Sequence, residues 1–236
     1  MALPFFYKAD IDVAATAVVL DEDTSKHIVQ VLRMQNGEQL QLTDGKGNLF
    51  TCQITDNNRK KCAVAIKQTT NYKPPTTNIT IAISLLKNAN RFEWFLEKAT
   101  EIGVTEIIPL VCERTEKTAF KFERMKSILV SAMLQSQQCW LPEMEEPVKY
   151  KNFIAAGNAA QKFIAHCEDE NNKVSLASKL LTPSTSKLIL IGPEGDFTKQ
   201  EIELALQNNF IPVSLGDTRL RTETAGVVAA SLLSLL

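Results

Sequence analysis

The sequence predicts an α/β protein in which a small β domain precedes a larger α/β domain. Short alternating strands occupy the first part of the chain, and a polar segment with two prolines, TTNYKPPTTN (residues 69–78), follows them. From residue 79 onward, apolar strands alternate with amphipathic helices. A polar segment that contains prolines is typical of a domain boundary. We therefore expect a β domain over residues 1–70, a linker over 71–78 and an α/β domain over 79–236.

The first domain is predicted to contain one helix and several strands. TSKHIVQVLRMQNG predicts the helix, with Thr24 as its N-cap and Gly37 at its end. EQLQLTD alternates polar and apolar residues, DGKGN supplies a hairpin turn, and LFTCQIT and KCAVAIKQ predict the next two strands. Strands this short and evenly spaced favour a small barrel.

The second domain alternates strand and helix. ITIAISLL predicts a strand, and NRFEWFLEKATEIG predicts a helix whose apolar residues share one face. The alternation continues through EIIPLVC, KFERMKSILVSAMLQSQQ, KFIAHC, KLILI, FIPVSL and TAGVVAASLLSLL. This order indicates a parallel sheet covered on both faces. Ligands of such sheets lie beyond the carboxyl ends of the strands.

The composition limits the possible classes of function. The chain has 236 residues, 44% of them hydrophobic and 22% charged, as in a soluble globular protein. Its net charge is -1, so any nucleic-acid surface must be local. Five cysteines without a CxxC pair and only two histidines argue against a metal site. No signal peptide or stretch of ~20 apolar residues is present, so we expect a cytoplasmic protein that does not contact a membrane.

The most informative segment is KLILIGPEGDFTKQEIELA, residues 187–205. A strand runs into the glycine turn GPEGD, and Thr198 with Glu201 forms a capping box that fixes the start of the next helix. Such turns commonly bind a ligand at the helix N-terminus. A phosphate ~5 Å from Glu194 would meet roughly 3 kcal/mol of repulsion at an effective dielectric near 20. The turn therefore favours a ribose or a cationic ligand, and a purely structural turn is an equal alternative.

A second glycine turn lies in VSLGDTRLRTETAG, residues 213–226. It again follows a strand and precedes a helix, and it carries Arg219 and Arg221 beside Glu223. An isolated Arg-x-Arg is usually surface charge. Next to a second glycine turn, it indicates a site that faces one ligand from two sides.

These two turns resemble those of the RsmE family of 16S ribosomal RNA uridine-N3 methyltransferases, in the SPOUT superfamily. LLKNANRFEWFLEKATEIGVTEIIPL is similar to the family's first methyltransferase motif, and HIVQVLRMQNGEQLQLTDGKG resembles its PUA-like RNA-binding domain. The resemblance implies a PUA-like β-barrel followed by a SPOUT-type α/β domain with a C-terminal trefoil knot. It also implies S-adenosylmethionine (SAM) as cofactor, a homodimer, and 16S rRNA or the small ribosomal subunit as partner.

The resemblance also suggests which residues form the cofactor site. They are Ile191, Gly192, Pro193, Glu194, Gly195, Leu215, Gly216, Leu220 and Arg221. Uridine N3 must lose a proton, and negative charge then builds on O2 and O4. Arg221 is the candidate that stabilises this charge, and Glu194 or Glu223 is the candidate that accepts the proton or orients the base. An acid that merely stabilises a helix N-terminus is an equal alternative for Glu223.

RNA contact is expected from local charge. Residues 24–67 hold seven cations and three acids, a net charge of +4. The candidate RNA-binding residues are Lys26, Arg33, Lys46, Lys87 and Arg91. For the run NNRKK alone, a solvated barrel face is the simpler interpretation. His166 ends a predicted buried strand and is expected in the core.

Two positions depart from the family pattern. The family turn is commonly GPEGG, whereas Asp196 stands in the last place here, and an Arg often occurs near Gln138. Aspartate tolerates positive φ better than most residues, so the turn is expected to survive. Without that Arg, a contact to RNA or to the second chain of a dimer is not expected near Gln138, whereas the cofactor site is unaffected.

A dimer contact is also predicted from small residues in the last helix: Ala225, Gly226, Ala229, Ala230 and Ser231. Two other function classes predict different features. A non-catalytic RNA-binding protein would have no affinity for SAM. A dehydrogenase should show G-x-G-x-x-G after its first strand, where LLKNANR has no glycine.

Overall fold

The computed structural model describes residues 3–156, 159–168, 173–180 and 184–235. The chain divides into two compact units, Met1–Pro74 with Met133–Leu141, and Pro75–Ala132 with Pro142–Leu236. The sequence-based division placed residues 133–141, which include Gln138, in the α/β domain. The structure groups them with the first unit because Leu141 N–H donates to Gly45 O at 2.9 Å and Trp140 Nε1 donates to Lys73 O at 3.1 Å.

The first unit is built on one five-stranded sheet. Its strands are β1 (Phe5–Tyr7), β2 (Ala17–Val19), β3 (Gln39–Thr43), β4 (Asn48–Asp56) and β5 (Ala63–Asn71). They lie in the order β1-β3-β4-β5-β2, with β1 parallel to β3 and the other pairs antiparallel. Leu40, Leu42 and Phe50 are fully buried in its core. No ladder joins β1 to β2 in the described residues, so the predicted barrel is open between these edges.

The helix of this unit starts earlier than predicted. Asp21, not Thr24, is its N-cap: the Asp21 carboxylate accepts from Thr24 N–H at 2.9 Å and from Thr24 Oγ1 at 2.8 Å. Helix α1 (Glu22–Lys26) continues into a π-helical turn, His27–Val31. Arg33 then adopts a φ of 57°, which ends the helical path before Gly37. The predicted cap and end were therefore both wrong: the Asp21 carboxylate caps the helix one turn earlier and places Thr24 inside α1, and the positive φ of Arg33 ends the helical path.

The second unit contains a parallel sheet, as predicted, and this sheet has eight strands. Its strands are β6 (Asn78–Ser84), β7 (Glu106–Val111), β8 (Glu143–Met144), β9 (Val148–Lys149), β10 (Gln161–Ala165), β11 (Val174–Ser175), β12 (Ser186–Ile191) and β13 (Ile211–Ser214). They lie in the order β11-β13-β10-β12-β6-β7-β8, and β9 pairs with β7. The short strands β8, β9 and β11 were not predicted. The strand order brings the ends of β13, β10 and β12 together at one edge.

Helices cover both faces of this sheet. They are α2 (Ala89–Ile102), α3 (Phe122–Gln135), α4 (Tyr150–Ala156), α5 (Leu176–Lys179), α6 (Lys199–Gln207) and α7 (Thr222–Leu235). Successive residues of a strand point to opposite faces. Ala82 accordingly packs in a cluster with α4 and α6, whereas Ile83 lies against Gly226 of α7. None of the described helices is long and apolar enough to cross a membrane.

The small residues of α7 serve packing within the unit. Gly226, Ala229 and Ala230 are buried, and a Cβ added at Gly226 would lie 2.6 Å from the ring of Phe95 in α2. The two helices therefore approach as closely as a glycine permits. This internal packing accounts for most of the small residues that were predicted to form a dimer contact.

Candidate functional site

A pocket of about 890 Å³ lies at the carboxyl ends of β10, β12 and β13. Its volume falls within the range of roughly 300–1,000 Å³ that is usual for ligand sites. Residues that follow each of the three strands line it: His166 after β10, Gly192 after β12 and Gly216 after β13. Both predicted glycine turns therefore border one pocket, in the position that the parallel topology implies.

The structure brings most of the predicted site residues together. The wall includes Arg91 and the predicted cofactor residues Ile191, Gly192, Pro193, Glu194, Leu215, Gly216, Leu220 and Arg221. Gly195 and Glu223 are not part of the wall. Lys26, Arg33 and Lys46 belong to the first unit. Lys87 is adjacent to the first turn, because its N–H donates to Glu194 Oε1 at 3.0 Å.

The first turn, residues 192–196, is held by contacts from three separate segments. Glu194 accepts the bond from Lys87, and Asp196 Oδ2 accepts from Cys167 N–H at 2.7 Å. Arg114 Nη1 donates to the carbonyl oxygen of Gly195 at 2.7 Å. Glu194 and Asp196 therefore use their carboxylates at least partly to fix the turn. The backbone groups of the turn are left in a defined position for a ligand.

The backbone of Asp196 adopts a positive φ, so the turn survives with aspartate in its last place, as expected. It has a φ of 65°, and its N–H donates to Pro193 O at 2.9 Å to close the turn. The predicted capping box is also present, since Thr198 Oγ1 accepts from Glu201 N–H at 3.3 Å and Glu201 Oε2 accepts from Thr198 N–H at 2.9 Å. Helix α6 therefore begins immediately after the turn, as the sequence predicts.

The second turn, residues 215–221, is much less constrained. Gly216 has a φ of 149°, and a Cβ added there would meet no atom within 4 Å. Asp217, Arg219 and Arg221 are exposed. In the described part of the chain, no side-chain hydrogen bond or ion pair ties this turn to the rest of the unit. Arg221 lines the pocket and its carbonyl oxygen accepts from Ala225 N–H at 2.7 Å, which starts helix α7.

Glu223 lies behind the pocket wall. It is only 6% exposed, and its Oε1 is 3.6 Å from Nε of Arg91. Its Oε2 is buried and has no hydrogen-bond partner among the described residues. Arg91 itself lines the pocket. Glu223 therefore contacts the pocket through Arg91 rather than directly.

Sequence reasoning missed a third loop of the site. His166, which was expected in the core, is half-buried and lines the pocket together with Cys167 and Lys173. Burial lowers the pKa of His166 below its usual value, and the nearby charge of Lys173 lowers it further, so the imidazole is neutral near pH 7. The loop after β10 lines the pocket because β10 lies between β12 and β13 in the sheet, and this strand order cannot be read from the sequence.

The wall offers backbone groups from two glycine turns and several cations. The cations are Arg91, Lys173, Arg219 and Arg221. The described residues contain no group of three or more His, Cys, Asp or Glu side chains that could hold a metal ion. Backbone donors and acceptors with exposed cations suit a nucleoside and an anionic centre that develops beside it.

Two family comparisons match the two parts of the chain. Residues 73–234 match an RNA methyltransferase domain family. Residues 20–67 match an RNA methyltransferase PUA domain family. The first match covers most of the unit that contains the pocket.

Curated relatives match over nearly the whole chain. The ribosomal RNA small subunit methyltransferase E of Synechocystis sp. is 31% identical, over 89% of this chain and 70% of the relative. The protein of the same name from Rickettsia conorii is 29% identical, over 93% of this chain and 90% of the relative.

Solved structures share the fold of the whole chain. A probable rRNA methyltransferase from Porphyromonas gingivalis has 41% identity and a TM-score of 0.88, with 97% of this chain and 95% of that chain covered. A ribosomal RNA small subunit methyltransferase E from Neisseria gonorrhoeae, bound to S-adenosyl methionine, has 29% identity and a TM-score of 0.86, with coverage of 98% and 96%.

Proposed function

Because this chain belongs to the RNA methyltransferase family, we propose that it transfers the methyl group of SAM to N3 of a uridine in 16S ribosomal RNA. The observation that carries the proposal is the pocket formed by two glycine turns at the ends of β12 and β13. A chain with this pocket and a PUA domain match is suited to hold a nucleoside cofactor and an RNA. The target atom follows from the resemblance of the two turns to the uridine-N3 enzymes.

The residues of the pocket fit SAM. The first turn offers backbone groups, and its carboxylates, Glu194 and Asp196, disfavour a phosphate, which SAM does not have. Residues 191–194 would hold it on one side, and Leu215, Gly216 and Leu220 on the other. When bound, SAM supplies an electrophilic methyl group, whose S–CH₃ bond breaks as the N3–CH₃ bond forms and leaves the electron pair on sulfur.

The chain's own residues have three tasks in this reaction. They hold the uracil in line with the methyl group, and such positioning can contribute ~7–11 kcal/mol. They stabilise the charge on O2 and O4, for which exposed Arg221 on the pocket wall is the candidate. They also provide or orient an acceptor for the proton that leaves N3. Glu194 is an exposed carboxylate on the wall, as is Asp217, and it stays a candidate acceptor, whereas Glu223 is buried behind Arg91.

RNA is proposed to contact the first unit through the cations of residues 24–67, a segment with a net charge of +4. Lys26 pairs with Glu22 at 2.9 Å, and in the second unit Lys87 pairs with Glu116 at 2.7 Å. Both pairs are exposed, and exposed pairs contribute little free energy. They can therefore open to contact phosphates, together with Arg33 and Lys46.

The resemblance extends the proposal to the whole molecule. It suggests that the C-terminal segment is threaded as a trefoil knot and that two chains form a homodimer in the cytoplasm. Light scattering tests the dimer. A monomer mass at micromolar concentration would contradict it.

Two measurements test the function. Calorimetric titration with SAM should give saturable binding, and nucleoside mass spectrometry should detect 3-methyluridine in 16S rRNA after incubation with protein and SAM. Naked rRNA and intact small subunits are compared in parallel to identify the substrate. A chain that binds no SAM at millimolar concentration is not a SAM-dependent enzyme, and the non-catalytic RNA-binding alternative would then apply.

A further inference from the structure

Helices α2 and α7 face each other through two pairs of residues. Arg91 and Phe95 are four positions apart on α2, and Glu223 and Gly226 are three positions apart on α7. Residues at these spacings share one face of a helix. Phe95 packs on Gly226 at a distance that admits no side chain, and Arg91 Nε lies 3.6 Å from Glu223 Oε1. The close packing of the apolar pair therefore brings the charged pair together.

The two members of this ion pair differ in exposure. The Arg91 side chain is 40% exposed and lines the pocket, whereas the Glu223 side chain is 8% exposed. Glu223 approaches Arg91 at Nε, and within the described residues the Arg91 side chain forms no hydrogen bond. The two terminal nitrogens of the guanidinium, which form its fork, are therefore available to a ligand in the pocket.

Glu223 occupies a position that is costly for a carboxylate. Its Oε2 is buried without a hydrogen-bond partner among the described residues, and burial of an incompletely paired charge is unfavourable. Two features offset part of this cost: the N-terminus of α7 and the positive charge of Arg91. A carboxylate that is screened from the pocket by an arginine orients that arginine and is poorly placed to take a proton from a ligand.

We propose that Arg91 is a second catalytic cation, which contacts a carbonyl oxygen of the target uracil, and that Glu223 is its positioning residue. This inference rests on the proposed function. When the N3–H bond breaks, the proton leaves to water or to a carboxylate, and the electron pair stays on the uracil, shared among N3, O2 and O4. Two oxygens gain negative charge, and Arg91 and Arg221 supply two cations on the same pocket wall.

The test measures single-turnover methylation at saturating SAM and RNA across a range of pH. Arg91→Ala should lower the rate by about 100-fold, as removal of one charge-stabilising donor does in other enzymes. Its pH profile should move to higher pH, because the deprotonated uracil loses a favourable charge. Added guanidinium ion should restore part of the rate to Arg91→Ala and leave the wild type unchanged. SAM affinity, measured by calorimetry, should stay within about twofold because the proposed contact is made to the uracil.

Glu223→Gln separates positioning from catalysis. It keeps the shape of the side chain and should lower the rate by about tenfold, which is less than the loss of Arg91 itself. The double variant should be no slower than Arg91→Ala, because both changes act through one guanidinium. Full activity and an unchanged pH profile in Glu223→Gln would exclude Glu223 as the positioning residue.

Arg124→Ala is the matched control. Arg124 is an exposed residue of α3 that pairs with Glu93 of α2 and does not line the pocket. This variant should leave the rate and the pH profile unchanged. If Arg91→Ala keeps its rate at saturating RNA, but its RNA binding weakens with a salt slope lower by about one unit, Arg91 contacts a phosphate and the proposal is wrong. Arg91→Lys keeps the charge without the fork and repeats the test if the alanine variant does not fold. Failure of the wild type to methylate would instead contradict the proposed function.

Discussion

The two glycine turns of the pocket differ in how the rest of the chain holds them. Three contacts, from Lys87, Arg114 and Cys167, fix the first turn. The second turn has no such side-chain contact in the described residues, and it ends in exposed Arg221. Fixed backbone groups bind a ligand without the entropic cost of ordering them. The comparison suggests a division of tasks, in which the first turn binds the cofactor and the second turn adapts to the RNA.

The largest effect is expected in the second turn. Arg221→Ala should lower the single-turnover rate by about 100-fold or more, because charge on the uracil develops mainly in the transition state. SAM affinity should change by less than about twofold if the first turn carries most of the cofactor contacts. A rate that falls less than about tenfold with intact affinity would remove Arg221 from the mechanism. Equal losses of rate and affinity would make it a cofactor residue.

The next effect concerns the rigidity of the first turn. Asp196→Ala removes the acceptor for Cys167 N–H and puts alanine, which tolerates positive φ less well than aspartate, at a φ of 65°. Each change is unfavourable, so the free energy of unfolding should fall by about 2–3 kcal/mol in urea denaturation. Asp196→Asn keeps an acceptor and tolerates positive φ, so its loss should be less than about 1 kcal/mol. Equal stability of the two variants would show that Asp196 does not fix the turn.

Arg114 offers a smaller test of the same turn. Arg114→Ala removes the donor to Gly195 O without changing the pocket wall. A hydrogen bond from a charged donor contributes about 1.5–3 kcal/mol, and its loss should weaken SAM binding by about tenfold. The rate at saturating SAM should fall much less. Calorimetry on Arg114→Ala and on the surface variant Arg124→Ala distinguishes a loss of turn order from a general loss of positive charge.

The smallest effect is expected at Gly216. Gly216→Ala meets no neighbouring atom, and its cost comes only from a φ of 149°. We expect about 1 kcal/mol, or a fivefold loss of RNA methylation at subsaturating RNA, with SAM binding nearly unchanged. Gly192→Ala is the counterpart in the first turn, where the added Cβ would lie 3.1 Å from the Phe197 ring. It should weaken SAM binding more than RNA binding. If Gly216→Ala weakened SAM binding and Gly192→Ala weakened RNA binding, the second turn would bind the cofactor and the first would contact the RNA.

Local features of the fold could be predicted from the sequence, and distant contacts could not. The capping box of Thr198 and Glu201 lies within one helical turn and was predicted correctly. The parallel sheet followed from the alternation of strands and helices. One local feature was nevertheless predicted wrongly: two nearby residues can both cap a helix, and Asp21 caps α1 in place of Thr24.

The supporting contacts of the site depend on strand order. Arg114 and Gly195 are 81 residues apart, and Cys167 and Asp196 are 29 apart. No periodicity or motif in the sequence predicts contacts between residues this far apart. The same limit explains why the sequence predicts His166 in the core and allows Glu223 as a base, although Glu223 is buried behind Arg91.

Gly226 also has a consequence for how the protein tolerates sequence variation. It is not itself part of the pocket wall, yet it sets the separation of α7 from Phe95 and thereby the position of Glu223 one turn earlier. A side chain at position 226 would push the first turn of α7 outward, and Glu223 and Arg221 would move with it. In a survey of natural or engineered variants, residue 226 should therefore be as restricted as the residues that contact substrate, although its own role is only spacing.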